Sequence, residues 1–218
     1  MVNRCGVSEM DKKTMLVLAP HTDDGEMGCG GTIAKATDNG IRVYLIAFSS
    51  ADESLRPDQK EGVLEDELLK ATEKLGIHRG DVLCLSHKVR TFTYHRQRIL
   101  DDLYNLNKQI KPDIVFAPPI HDLHQDHKVI AEEAQRVFKR TTLLSYELPW
   151  NNMSFNTSAF VVLDERHLDK KLHALRCYKS QDHKEYFAQD FIKSMAITRG
   201  VQVNQKYAEA FEVVRWMV

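Results

Sequence analysis

Met15-Leu16-Val17-Leu18-Ala19-Pro20-His21-Thr22-Asp23-Asp24-Gly25-Glu26-Met27-Gly28-Cys29-Gly30-Gly31-Thr32 passes from an apolar run into a polar, glycine-rich turn. The apolar run reads as a strand over Met15–Ala19. A helix-like segment, Thr32 to Asn39, leaves the turn and closes at Gly40. One imidazole and two adjacent carboxylates therefore stand at the C-terminal end of a strand. Open parallel α/β sheets bind their ligands outside those ends. A second polar cluster, His121-Asp122-Leu123-His124-Gln125-Asp126-His127, comes much later in a similar context. The two clusters are expected to meet and hold a metal ion.

The rest of the chain supplies the layers. Arg42–Phe48 reads as a strand, with six consecutive apolar residues as in a strand buried on both faces. Gln59–Leu75 is an amphipathic helix closed by Gly76. Asp81–Leu85 is a strand, and Tyr94–Lys111 is a helix stopped by Pro112. The strand Asp113–Ala117 breaks at Pro118-Pro119. Lys128–Lys139 reads as a helix and Leu143–Tyr146 as a strand. Then come a loop over Glu147–Ser158, a strand over Ala159–Leu163 and a helix over Glu165–Tyr178. A helix over Glu185–Arg199, closed by Gly200, and a strand over Ala210–Trp216 end the chain. This alternation predicts an α/β fold: one three-layer domain over 14–218, with a mostly parallel sheet and helices on both faces. Residues 1–13 read as a polar N-terminal tail.

Composition bounds the function. The chain has 218 residues, 43% of them hydrophobic, which suits a single globular domain. Lys and Arg total 30 against 31 Asp and Glu, and no basic stripe points to nucleic acid. Cys5, Cys29, Cys84 and Cys177 form no C-x-x-C pair and read as reduced. The start lacks a signal peptide's apolar core, and the apolar runs are too short to span a membrane. A cytoplasmic protein is expected.

His21 and Asp24 are three residues apart and can point at one centre, with His127 as a third ligand from beyond the later strand. Two imidazoles and one carboxylate leave a coordination position open for water, the pattern of a catalytic zinc. One ion per chain is expected. Asp23, beside a ligand, is placed to accept a proton from that water. Asp126 is placed to orient a ring nitrogen, and His124 to face the substrate. The same donor set serves non-haem iron oxygenases, but those usually sit on β-barrel strands. The dinucleotide fingerprint fails, because Ile33 stands where its third glycine belongs.

Ala19–Thr32 and His124-Gln125-Asp126-His127 resemble the two signature motifs of the PIG-L/LmbE-like family of zinc-dependent N-deacetylases. Tyr207-Ala208-Glu209-Ala210-Phe211 is similar to a C-terminal motif of that family. Thr22 replaces the family's usual proline, and Gly25 its usual glutamate, with Glu26 next to it. The resemblance implies a Rossmann-like fold without a dinucleotide. It implies zinc on His21, Asp24 and His127, with Asp23 as general base. His124 would stabilise or protonate the tetrahedral intermediate. The implied substrate is an N-acetylglucosamine-type sugar and the implied assembly a homo-oligomer. Another acyl group such as formyl is the alternative, and a catalytically inactive relative is a remoter one.

Outside the motifs the signals are weaker. Arg90 follows the third strand and reads equally as a substrate contact or a surface arginine. Asn151 and Asn152, beside Trp150, read equally as sugar-site residues or as a turn. His121 and Asp122 are expected in a solvated loop, and Glu209 paired with an arginine.

Overall fold

The structure is a computed structural model that describes residues 13–218. The expected tail, apart from Lys13, and Cys5 lie outside the described residues. Seven strands form one sheet: β1 (Thr14–His21), β2 (Arg42–Ser49), β3 (Val82–Cys84), β4 (Ile114–Ala117), β5 (Thr142–Tyr146), β6 (Ala159–Leu163) and β7 (Tyr207–Arg215). Their order is β3-β2-β1-β4-β5-β7-β6. The first five run parallel, and β7 is antiparallel to both β5 and β6. The helices are α1 (Asp24–Asp38), α2 (Val63–Lys74), α3 (Arg96–Ile110), α4 (Gln125–Val137), α5 (Glu165–Leu175) and α6 (Gln189–Gln202).

Side chains alternate across β1 and divide the core in two. Met15, Val17 and Ala19 pack with α1, α2 and α5, whereas Leu16 and Leu18 pack with α3 and α4. Strand order reverses between β1 and β4, so a crevice opens above their carboxyl ends. His21 ends β1, and the His-rich segment follows β4.

The expected glycine-rich turn is a helix. α1 starts at Asp24, directly after the strand, and breaks at Cys29 (φ −143°, ψ 25°). The glycines serve packing and do not form a turn under the metal. A Cβ at Gly28 would lie 2.3 Å from Tyr146 Cδ2, and one at Gly31 2.4 Å from Leu163 Cδ1. Past the break, backbone N–H groups lack helical partners, as at any helix start. Gly31 N and Thr32 N donate to Glu209 at 3.0 and 2.6 Å, and Thr32 Oγ1 donates at 2.7 Å. Lys171 Nζ donates to Glu209 Oε1 and to Met27 O, both at 2.6 Å. Glu209 therefore pairs with a buried lysine, and the expected arginine partner is corrected.

Other boundaries move: α2 starts at Val63 and not Gln59, α3 at Arg96 and not Tyr94, α5 ends at Leu175, and β7 starts at Tyr207 and not Ala210. α4 begins at Gln125, because the His124 ring caps it by accepting from Asp126 N. Gly200 lies inside α6, and Glu185–Phe187 is a separate 3₁₀ turn. Gly200 ends nothing; a Cβ there would lie 2.7 Å from Gln205 O, so it allows a close chain crossing.

Removing one member of a buried ion pair leaves the other charge uncompensated and costs about 3–5 kcal/mol. Glu209→Ala is expected to lower the unfolding free energy by that order, read as a fall in the urea midpoint, since it also strands the donors past the α1 break. An unchanged midpoint would show that the break is held by packing alone.

Candidate metal centre

Three lone-pair atoms converge in the crevice; each ring is held by a hydrogen bond on its other side, and Asp24 Oδ2 accepts from His21 N at 2.9 Å. His127 Nδ1 is 2.8 Å from Asp122 Oδ2. A carboxylate only accepts, so the proton sits on Nδ1 and Nε2 keeps its lone pair. His21 Nε2 faces Asp126 Oδ2 at 3.3 Å, which frees His21 Nδ1 in the same way. Asp24 Oδ2 is 3.2 Å from His21 Nδ1 and 3.2 Å from His127 Nε2. The two nitrogens are 3.3 Å apart. Zinc at its usual bond length of about 2.0–2.1 Å sits over a tetrahedral face whose edges are about 3.3 Å. The triangle of His21, Asp24 and His127 matches that face. His124 is also close: the nitrogens of His21, His124 and His127 all lie within 4.8 Å of one another.

Charge explains why the cluster suits a cation. Asp24, Asp122 and Asp126 are buried beside the two rings. Burial disfavours a charged His127, but Asp24 and Asp122 outweigh it and push its pKa up to about 10. Burial also opposes an ionised Asp24, yet His127 and His21 hold its carboxyl well below the usual range. The cluster thus takes up a proton where a metal ion would sit. The sequence expectation for Asp122 is corrected. It is fully buried, holds the His127 ring and receives His124 N at 2.8 Å, while His121 is exposed. The signal was an acid five residues before a candidate ligand histidine, whose ring would need an acceptor behind it.

Asp126 accepts from two backbone groups, Arg90 N at 2.5 Å and Phe92 N at 3.2 Å, as well as facing His21. Arg90 contributes through this backbone bond, at a φ of 66°. Its guanidinium reaches the Glu53 carbonyl on the rim and does not line the cleft. Asn152 is likewise committed elsewhere: Oδ1 accepts from Leu148 N at 2.7 Å and Nδ2 donates to Asp122 at 3.4 Å. Asn151 lines the cleft.

Asp23 stands at the N-terminus of α1 and opens onto the cleft. Burial and the Asp24 charge raise its carboxyl, against the opposing pull of Lys184 and His21. His124 Nδ1 accepts from Asp126 N at 3.2 Å, so its proton is on Nε2. Burial and the neighbouring rings push it down to about 4, so the ring is a neutral donor. Behind the ligands, Tyr178 OH donates to Thr22 O at 2.6 Å and lies 2.8 Å from Glu26 Oε1. Tyr178 has one proton and Thr22 O only accepts, so the second proton belongs to Glu26. Burial, which pushes Glu26 up to about 8, supports that state.

The cleft holds about 230 Å³. Trp150 stacks on Tyr186 along one wall, with centroids 4.1 Å apart and planes 10° apart. Tyr186 and Lys184 were missed because the sequence placed Tyr186 inside a helix and gave the lysine no motif. Among the described residues, no helix is long and apolar enough to cross a membrane.

Two ring nitrogens and a carboxylate oxygen over an open position, with a second carboxylate beside them, are the parts of a metal-assisted hydrolase. Residues 16–138 match the family described as PIG-L: GlcNAc-PI de-N-acetylase, and the chain belongs to this family of metal-dependent deacetylases. Over 179 residues it is 28% identical to an uncharacterized deacetylase, YaiS, of Escherichia coli, covering 78% of this chain and 92% of that one. It is 23% identical over 229 residues to a diacetylchitobiose deacetylase of Thermococcus kodakarensis, covering 94% of this chain and 84% of that one. The solved structure of GalB, a 4-carboxy-2-hydroxymuconate hydratase of Pseudomonas putida, superimposes with a TM-score of 0.76 at 20% identity. It covers 94% of this chain and 98% of that one, a likeness of fold alone.

Carboxylates that orient ligand imidazoles contribute 10–100-fold to metal affinity. Asp122→Ala is expected to weaken zinc binding by about that factor in a chelator competition. Unaltered affinity would remove Asp122 from the centre.

Proposed function

We propose that the protein is a zinc-dependent N-deacetylase acting on an N-acetylhexosamine conjugate. The observation that carries this reading is the triangle of His21 Nδ1, Asp24 Oδ2 and His127 Nε2, with 3.2–3.3 Å edges, beside Asp23. These three residues would hold the ion, with Asp126 and Asp122 fixing the rings. When bound, zinc lowers the pKa of a coordinated water to about 7 and polarises a carbonyl oxygen.

The chain's own residues account for the proton traffic. A carboxylate oxygen of Asp23 takes a proton from the attacking water. The raised carboxyl favours that role, since a base works best near the operating pH. The Nε2–H of His124 donates to the oxygen that gains charge as the amide carbon becomes tetrahedral. Asp23 then returns its proton to the departing nitrogen. One water is consumed, the C–N bond breaks, and acetate and a free amine leave. The neutral state of His124 supports hydrogen bonding over proton donation.

The substrate reading rests on the cleft. Its walls offer the stacked Trp150–Tyr186 face and polar groups such as Asn151 and Gln181, which suits a sugar better than a deep acyl slot. The diacetylchitobiose deacetylase relative supports an acetylated amino sugar. The cysteine pattern supports a reducing compartment, the cytoplasm. The family resemblance supports a homo-oligomer, which light scattering would measure.

Asp23→Asn is expected to retain zinc by elemental analysis and to lose about 10²–10⁴-fold in turnover. Near-normal turnover would exclude Asp23 as the base. The zinc-loaded protein is expected to release acetate faster from an N-acetylglucosamine glycoside than from an acetyl-lysine peptide of similar size. The reverse order would overturn the sugar reading and leave the metal centre standing.

A further inference from the structure

We infer that Lys184 selects substrates carrying an anionic group, a phosphate or a carboxylate, next to the acetylated sugar. The inference deepens the deacetylase reading and rests on it. Lys184 sits on a strap, residues 178–188, that crosses one side of the metal cleft. The strap is pinned by buried polar groups. Ser180 N and Oγ donate to the buried Glu67 at 3.0 and 2.6 Å. Gln59 Nε2 donates to Ser180 O at 2.9 Å, and Tyr178 OH holds Thr22 O. Lys184 N itself donates to Gln181 O at 3.0 Å. The lysine therefore projects from a fixed backbone.

Its ammonium forms no direct ion pair, although it lies near enough to Asp23 to pull that carboxyl's pKa down. Among the described residues lining the cleft, Lys184 is the one lysine or arginine. It is half-buried, and among the described residues no carboxylate lies within ion-pair distance of its ammonium. Nζ lies 5.5 Å from the centroid of the Tyr186 ring, a cation–π distance. The two carboxylates lining the cleft are already committed, Asp24 to the ion and Asp23 to the water's proton. A half-buried ammonium without a direct ion-pair partner is free to pair with a ligand anion. The wall beside it is the Trp150–Tyr186 pair, aromatic surface against which a sugar can pack. A sugar seated there, with its acetamide at the metal, presents a neighbouring substituent to Nζ. A phosphate and a carboxylate share the chemistry that Nζ recognises.

The test compares kcat/KM for amine release from three N-acetylglucosamine derivatives. These are the neutral methyl glycoside, the 1-phosphate and a glycoside with a carboxylate aglycone. The zinc-loaded wild type is set against Lys184→Met, Lys184→Arg and Lys184→Glu. The wild type is expected to favour at least one anionic derivative about tenfold, with the ratio falling as salt rises. The ratio is expected to collapse towards one in Lys184→Met, persist in Lys184→Arg and invert in Lys184→Glu. A preference for one anion only identifies the source of the charge. An unchanged ratio in Lys184→Met, or an equal loss on all three substrates, would overturn the inference. A parallel calorimetric titration of zinc-loaded Asp23→Asn protein uses N-acetylglucosamine and its 1-phosphate, with and without Lys184→Met. Tighter phosphate binding that depends on Lys184 supports the inference even if no derivative is hydrolysed, an outcome that would count against the deacetylase reading alone. Equal binding of the two ligands would overturn the inference independently of turnover.

Discussion

Three buried carboxylates, Asp24, Asp122 and Asp126, enclose two imidazoles at the point where the sheet reverses its strand order. Such a concentration of negative charge out of water is stable only with a cation among it. In the protein alone that cation is a proton on His127, whose pKa reaches about 10. The same charges suit the cluster to a divalent ion, which would bring two charges where the proton brings one. Each ring is held from behind, His127 by Asp122 and His21 by Asp126, so the opposite nitrogens face inward. Much of the remaining structure keeps these five side chains in register.

That support is spread through the fold. α1 must start directly at Asp24, and it lies so close to the sheet that Gly28 meets the Tyr146 ring. The break at Cys29 leaves backbone donors open, and Glu209 on β7 answers them. Lys171 on α5 compensates Glu209 and also holds Met27 O from the first half of the helix. A second brace joins Tyr178 to the Thr22 carbonyl, between the candidate ligands His21 and Asp24. The C-terminal third of the chain therefore fixes the N-terminal ligand turn. This gives the Tyr207–Phe211 motif a structural reason.

Much of this was legible in the sequence, for physical reasons. Six-residue apolar runs mark buried parallel strands, and Gly40 and Gly76 end their helices with φ of 75° and 82°. The β6 boundaries matched the reading residue for residue. The glycine-rich segment misled because glycine signals both turns and close packing, and only the position of Tyr146 separates the two. Asp122 misled because a polar loop after Pro118-Pro119 looks solvated until the fold closes over it. Asn152 and Arg90 look like ligand-facing groups, yet one is held by Leu148 and Asp122 and the other turns to Glu53. Lys184 and Tyr186 meet the metal cleft only through the strap, a long-range contact that no local pattern encodes.

The central claim is that His21 Nδ1, Asp24 Oδ2 and His127 Nε2 bind the ion, with His124 left outside as a neutral donor. Anomalous diffraction at the zinc edge from crystals of the zinc-loaded protein tests it directly. The account predicts one peak per chain at about 2.0–2.2 Å from those three atoms, with the His124 ring still receiving Asp126 N. A peak bonded to His21, His124 and His127 and clear of Asp24, or no peak in the cleft, would contradict it.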